Sequence, residues 1–159
     1  MSWRLSAGLR NKLLGAASGQ GSLKQILANG QIRIYTGSQP ATAEEAETGS
    51  LLCTITLASA EMTSGTATNG INLGNADNGT VGKAAEVWSG VNAATGTAGW
   101  FRWYPNDFDA QMGAATAGNK IRIDGRCGTA ASQMNLSSTS LVSGVTTTVD
   151  SVALTLPAS

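Results

Sequence analysis

The chain of 159 residues contains no histidine, and only 13% of its residues are charged. Histidine is the commonest general base and the commonest metal ligand in proteins, so its absence argues against most catalytic and metal-binding arrangements. The charge is also balanced, with ten basic and ten acidic residues, whereas general nucleic-acid binding requires clustered cations. We therefore expect no catalytic residues, no metal, no cofactor and no nucleic-acid partner.

Long apolar runs are absent as well. A membrane-spanning helix needs about 18 or more predominantly apolar residues in succession, and no such stretch occurs in the sequence. The N-terminal segment, MSWRLSAGLRNKLLG, lacks the continuous apolar region of a secretion signal. We therefore expect no membrane partner.

Cysteine is scarce, since the chain contains only Cys53 and Cys127. Their separation matches no zinc-binding or redox motif. Each lies within a run that resembles a strand, which predicts a small, buried core residue. A disulfide bond between the two is the alternative.

The N-terminal part of the chain carries five cations before its first acid. Leucines at helical spacing follow Ser6, a candidate helix N-cap, and Gly15 is a candidate stop. The segment SLKQILANG predicts a second short helix, with Ser22 as its cap and Gly30 as its terminator. We interpret residues 1–30 as a helical arm, whose leucines either pack on their own domain or dock on a partner subunit.

The hydrophobic period changes to two after the arm, which is the period of a strand. Ile32 and Ile34 then share one face, and Arg33 and Tyr35 share the other. About eight such runs occur, separated by Asn-Gly and Gly-Asn turn signals, and this spacing is typical of a sandwich or a barrel. We predict an all-β fold, in which residues 31–159 form an antiparallel β-sandwich, jelly-roll-like or tulip-like. The later runs are EVWSGV, GWFRWYP, KIRIDGRC, SQMNLSS, VTTTV and SVALTLP.

Acidic residues are concentrated in the link SQPATAEEAETGS, which contains Glu44, Glu45 and Glu47. A hydrolase with paired carboxylates must desolvate one of them, and a link rich in Ala, Thr and Ser is a poor place to do so. Pro40 prevents the preceding strand from continuing, so the acids lie outside the sheet ladder. Two roles remain open. The link is either a charged rim that meets the cationic arm of a neighbouring subunit or a solvated loop.

The segment GWFRWYP alternates large side chains on both faces of a predicted strand, so both faces are partly covered. Trp100 and Trp103 then fill a core or a subunit interface, or they stack on sugar rings at a glycan-binding tip. The acidic segment NDFDAQ matches a calcium loop only in part, because the run D-x-[DN]-x-[DN]-G is incomplete. We interpret it as a solvated turn.

Several segments occur in a familiar order: a leucine-rich start of the GLRN type, the strand IRIYTGSQP, the turn and strand AETGSLL, and later TNGINLG, TAGWFRWY, IRIDG and MNLSSTSLVSGVTTTVDSVALTLPA. This order resembles a group of tailed-bacteriophage virion proteins over nearly the whole chain. The resemblance implies a non-enzymatic virion structural protein. Within the virion we expect a capsid decoration (cement) protein, which binds the assembled head and stabilises it by bridging capsomers.

The resemblance also implies partners and a location. The partners are the major capsid protein and copies of the chain itself, as a trimer by analogy with decoration proteins on three-fold axes. The protein is made in the cytoplasm of the bacterial host and then lies on the capsid surface. The residues that we predict to contact a partner are Trp3, Leu5, Leu9, Arg10, Leu13, Glu44, Glu45, Trp100 and Trp103.

Two alternatives to the decoration role stay open. A tail, collar or baseplate component would also be rich in strands, free of histidine and oligomeric. A receptor-binding or glycan-binding module would instead present the aromatic side chains of residues 100–104 at an exposed tip.

Overall fold

The computed structural model describes residues 3–14 and 21–155. Within these ranges the chain forms ten strands and three short helices. No helix in the described part of the chain is both long enough and apolar enough to span a membrane. The elements are β1 (Arg4–Leu5), α1 (Ala7–Leu13), α2 (Leu23–Ile26), β2 (Gln31–Thr36), β3 (Leu51–Leu57), β4 (Thr80–Gly82), β5 (Trp88–Val91), β6 (Gly96–Tyr104), α3 (Phe108–Gln111), β7 (Ile123–Gly128), β8 (Met134–Leu136), β9 (Ser140–Leu141) and β10 (Thr146–Thr155).

Seven strands close into a barrel in the order β7, β8, β10, β5, β3, β2, β6 and back to β7. All neighbours are antiparallel except β7 and β8, which are parallel. The all-β prediction is confirmed, but the predicted β-sandwich, jelly-roll-like or tulip-like, is wrong. The physical reason is that the nine-residue β6 pairs with both β2 and β7. The hydrogen-bond ladder therefore continues around the ring and does not separate into two sheets.

The three remaining strands each pair with one strand of this ring. Strand β1 pairs with β7, β4 pairs with β10, and β9 pairs with β6. The runs VTTTV and SVALTLP were predicted as two strands, but residues 146–155, which contain most of both runs, form the single strand β10. A register shift between Val149 and Ser151 interrupts its pairing with β8, so the irregularity at Asp150 is a bulge and not a turn.

Apolar side chains fill the barrel interior, as the alternating pattern predicts. Ile32 and Ile34 are fully buried there, and Trp88 meets Trp103 edge-on with ring centroids 5.1 Å apart. Complete burial of each large apolar side chain contributes about 1.5–3 kcal/mol to folding. The pattern fails locally in β3, where the consecutive residues Leu52 and Cys53 both enter the core. The β2–β3 ladder shifts its register opposite these two residues.

Both cysteines are free and buried, which confirms the prediction that they are core residues. Burial raises the pKa of Cys53 to about 12 and also raises the pKa of Cys127. Both thiols are therefore protonated and unreactive at neutral pH.

The arm packs on its own barrel. The predicted N-caps are confirmed, because Ser6 accepts a hydrogen bond from the Leu9 amide and Ser22 forms a capping box with Gln25. Leu9 is fully buried in the barrel core. The predicted stop at Gly15 lies outside the described residues.

The predicted terminator of α2 is wrong. The helix ends at Ile26, and Asn29, with φ of 52°, takes the left-handed conformation that reverses the chain. Gly30 instead forms a bridge with Ile71. A Cβ atom at Gly30 would lie 2.2 Å from the Tyr104 carbonyl oxygen, so close packing explains the glycine.

Candidate partner-binding surface

Four of the six arginines of the chain lie on the outer side of strands β1, β2, β6 and β7, and a fifth, Arg122, directly precedes β7 on the same side. Directly opposed residues on neighbouring strands point to the same side of a sheet. Arg4, Asp124, Arg102 and Arg33 are opposed in this way and form one row across the four strands. We call this side of the barrel the arginine face, and its arginines are Arg4, Arg33, Arg102, Arg122 and Arg126.

A buried ion pair occupies the centre of the arginine face. Arg102 donates to Asp124 through two parallel hydrogen bonds, Nε to Oδ1 at 2.6 Å and Nη2 to Oδ2 at 2.7 Å. Both side chains are completely buried. Burial alone would lower the pKa of Arg102, but the Asp124 carboxylate more than offsets this and raises it. Arg102 therefore remains charged, and its guanidinium also lies 5.4 Å from the Trp100 ring centroid.

Arg122 holds two irregular segments together. Its Nε donates to the Ala43 carbonyl at 2.6 Å and its Nη2 to the Glu45 carbonyl at 3.1 Å. Its Nη1 donates to the carbonyls of Gln111, at 2.7 Å, and Gly113. Buried carbonyls outside regular structure need such donors, so the fully buried Arg122 fastens the acidic link to the segment that follows α3.

Glu47 of the acidic link folds back onto the arginine face. Its Oε1 accepts from the Tyr104 hydroxyl at 2.5 Å and from Arg102 Nη1 at 3.1 Å, and its carboxylate also accepts from the Gly113 amide. Burial would raise the pKa of Glu47, but the Tyr104 hydrogen bond and the Arg102 charge more than offset it and lower the pKa. The link is therefore neither a solvated loop nor a free charged rim at this residue.

Glu44 contacts the arm of its own chain, whereas one of the two predicted roles placed the acidic link against the arm of a neighbouring subunit. Its Oε1 accepts a hydrogen bond from the Ala7 amide, in the first turn of α1. A carboxylate at this position stabilises the helix through the exposed amides and the helix dipole. Glu45 is exposed, and its carboxylate accepts from the Ala41 amide at 3.2 Å.

A groove of about 410 Å³ separates the arm from the acidic link. We call it the arm–link groove. Trp3, Leu5, Arg10 and Glu44, four of the predicted contact residues, line it together with Arg4. The arm supplies one wall and residues 41–44 supply the other.

A second cavity, of about 620 Å³, adjoins the groove through Arg4, which lines both. We call it the arginine pocket. Arg126 lies on it, and no acidic residue is among its lining. In the described ranges neither Arg4 nor Arg126 forms a salt bridge. The other lining residues are Gly37, Ser38, Gln39, Ala98, Gly99, Cys127 and Thr139.

Three of the predicted contact residues are buried, so they offer no surface to a partner in this structure. Leu9 and Trp103 belong to the barrel core. Trp100 stacks on Tyr35, with centroids 4.7 Å apart, and its Nε1 donates to the Thr48 carbonyl. In the aromatic segment, Phe101 and Trp103 therefore fill the interior, whereas Trp100 and Tyr104 are buried on the arginine face, and the segment forms no exposed tip. Leu13 is exposed on α1, outside the groove.

The segment NDFDAQ contains the short helix α3, and its acids are exposed. Asp107 accepts a hydrogen bond from Gln111 within the segment. Nowhere in the residues that the structure describes do three or more acidic or cysteine side chains group to hold a metal.

The arginine pocket was not predicted from the sequence. Arg4 was visible only as a cation of the predicted helical arm, although it lies in strand β1. Arg126 was visible only as an outward-facing cation of a strand-like run, and an outward position is usually a solvated one. The available signal was the alternation of Arg122, Asp124 and Arg126 in one run. That alternation predicts that the three side chains share one face of the sheet, but it does not predict which segment of the chain covers that face.

Comparison of the chain with protein-family models, with curated proteins and with solved structures gives no match.

Proposed function

We propose that this chain is a non-enzymatic structural protein of a tailed-bacteriophage virion, and that it acts as a capsid decoration protein. The order of segments along nearly the whole chain, from GLRN to VALTLPA, supports the virion assignment. In this role the protein binds the assembled head and bridges neighbouring capsomers. Its partners are the major capsid protein and further copies of itself.

The arm–link groove is the observation that carries the proposal for partner binding. It gathers Trp3, Leu5, Arg10 and Glu44, which combine apolar, aromatic and charged side chains around one concave surface. Interfaces are enriched in this combination of aromatic residues and arginine. We infer that the groove receives a segment of a capsid subunit.

Both walls of the groove are fixed before a partner arrives. The Ser6 hydroxyl donates to the Lys120 carbonyl at 2.7 Å and accepts from the Arg122 amide, which holds the start of α1 against the barrel. Arg122 and Glu44 hold the opposite wall. A preorganised surface loses little conformational entropy on binding, so more of the contact energy appears as affinity.

The proposed mechanism is thermodynamic linkage. A protein that binds the assembled shell and not the separate subunits stabilises the shell by mass action. At a free concentration about 100 times the Kd, this amounts to about 2.7 kcal/mol for each occupied site. Repetition over many symmetry-related sites multiplies the effect without requiring tight individual contacts.

The test is the copy number per particle, measured by quantitative mass spectrometry of purified virions against the major capsid protein. The decoration role predicts on the order of hundreds of copies, because local symmetry axes repeat over the whole shell. A ring of about 3, 6 or 12 copies would contradict that role and indicate a tail, collar or baseplate component. Absence from purified particles would contradict the virion assignment itself.

A further inference from the structure

We propose that the arginine pocket binds an acidic peptide segment of a partner protein, with Arg4 and Arg126 contacting one carboxylate. The inference deepens the proposed function, on which its choice of a capsid protein as partner rests. It specifies the type of partner segment, an acidic one, that the arginine pocket binds next to the arm–link groove.

The charges of the arginine face are unevenly paired. Arg102 is neutralised by Asp124 and Glu47, and Arg122 is surrounded by four carbonyls. Arg4 and Arg126 have no such partners in the described residues, and the pocket between them contains no acid. The pocket is therefore a concave site with two cations and no counter-charge. A carboxylate complements the planar guanidinium fork, with which it forms paired hydrogen bonds.

Two polar atoms of residues that line the arginine pocket lack hydrogen-bond partners among the described residues. Nη1 of Arg4 is buried and has no acceptor among the described residues, although buried donors are rarely left unpaired. Oε1 of Gln39, which lines the same pocket, is buried and has no donor there either. An occupant that satisfies both atoms must accept one hydrogen bond and donate another. A simple anion such as sulfate only accepts, whereas an acidic peptide offers a carboxylate and backbone N–H groups.

The arginine pocket has room for a peptide segment. The pocket lining includes Gly37, Ala98 and Gly99, so small residues leave room for a peptide backbone. A Cβ atom at Gly99 would lie 1.9 Å from the Gly37 carbonyl oxygen, so these two segments of the chain touch on this side. A Cβ atom at Gly37 would meet no heavy atom within 4 Å, so the open space lies beside Gly37. Gly37 has φ of 77°, which also favours glycine.

Charge argues against a nucleic acid as the occupant. The pocket presents only two arginines, and the chain as a whole is neutral. Nucleic-acid sites extend along a phosphate backbone and require more cations in a stripe.

The experiment is a titration of the purified full-length protein, followed by heteronuclear NMR. The probes are the capped peptide acetyl-Gly-Glu-Gly-amide, the matched peptide with Gln for Glu, inorganic phosphate and a short oligothymidylate. We expect the Glu peptide to shift the amide signals of Gly37, Gln39 and Gly99, and the Gln peptide to bind roughly tenfold more weakly or not at all. Equal binding of both peptides, or stronger binding of phosphate or of the oligonucleotide, would overturn the proposal.

Two variants test the residues. Arg126→Gln removes an exposed side chain, so the barrel should remain folded, and we expect a roughly tenfold or greater loss of affinity for the Glu peptide. Lys24→Gln is the matched control, because it removes one positive charge from exposed α2, outside the pocket, and should bind like the wild type. Unchanged affinity in Arg126→Gln, or an equal loss in both variants, would refute a role for the pocket.

The peptide titration and the copy number test the arginine pocket and the decoration role independently. A bound Glu peptide with a low copy number would leave the pocket established and remove the decoration role. A high copy number without peptide binding would keep the role and refute the pocket.

Discussion

Replacing Arg122 by methionine should release the acidic link from the barrel. The guanidinium donates to the carbonyls of Ala43, Glu45, Gln111 and Gly113. Among the described residues only the Glu45 carbonyl has a second side-chain donor, Arg102 Nη1 at 2.9 Å. Methionine has a similar length and no donor, so the substitution removes the hydrogen bonds while filling much of the same space. The perturbation therefore isolates the polar contribution of one buried side chain.

The magnitude follows from the number of carbonyls involved. A buried carbonyl without a donor costs about 1–3 kcal/mol. The hydrogen bonds to the Ala43 and Gln111 carbonyls are buried, so leaving these two carbonyls unpaired would cost about 2–6 kcal/mol. That is a large part of the stability of a typical domain, which is about 5–15 kcal/mol. Exposing the link to water is the less costly outcome. We therefore expect a loss of about 3–5 kcal/mol in the free energy of unfolding, comparable to breaking a buried charge interaction.

Urea denaturation measures the total loss, and hydrogen exchange shows where the structure opens. We expect faster exchange at the amides of residues 41–47 and 111–113, with protection retained in β2, β3 and β6. Arg10→Met is the matched control, because Arg10 is exposed and its loss should change stability by less than about 0.5 kcal/mol. A loss below about 1 kcal/mol in Arg122→Met, with the link amides still protected, would refute the reasoning.

Three further predictions concern the same face. Because the pKa of Glu47 is lowered from its ordinary value of 4.5, its stabilising effect is complete above that pH and is lost as the pH falls through the folded-state pKa. Glu47→Gln should therefore reduce stability at pH 7 and flatten the pH dependence of urea denaturation in the acidic range. Glu61 is exposed, so the control variant Glu61→Gln should leave both the stability and its pH dependence unchanged. Arg102→Met should lower the free energy of unfolding by about 3–5 kcal/mol, because it leaves Asp124 buried and unpaired. Adding Asp124→Leu should recover much of this loss, as thermal and urea unfolding would show. A double variant no more stable than the single one would contradict this. Gly99→Ala should lower the free energy of unfolding by about 1–3 kcal/mol, because its Cβ meets a backbone oxygen, and an unchanged melting temperature would count against the contact.

Local elements were predictable because they depend on neighbouring residues. Period-two alternation identified β2, β3, β5, β6 and β7, and two serines identified the starts of α1 and α2. The burial of Cys53 and Cys127 followed from their position within apolar runs. Each of these signals acts within a few residues of the element that it predicts.

Closure of the barrel was not predictable in this way. Alternation specifies which side chains share a face, and it is the same in a sandwich and in a barrel. The difference lies in whether β6 and β10 pair along both edges, which is a property of strands far apart in the chain. The register shifts opposite Leu52 and next to Asp150 belong to the same class of non-local information.

The arginine face shows a second limit. Arg102 and Asp124 point away from the barrel interior, as the alternation predicts, yet both are completely buried. The reason is the acidic link, which covers them and supplies Glu47. A link with three acids, in a chain with few charges, was a signal for partner arginines within the same chain. Which arginines the acidic link contacts is decided by the pairing of strands that are far apart in the sequence.

The position of the arm determines how partner binding can be tested. Strand β1 pairs with β7, and Leu9 fills the barrel core, so removing the arm removes part of the fold. A truncated chain that fails to bind would not distinguish lost contacts from lost structure. Arg4 has a similar difficulty, because it lines both the arm–link groove and the arginine pocket. Arg10 and Arg126 each line only one of these sites and are exposed, so single substitutions there assign binding to the groove or to the pocket while the barrel stays intact.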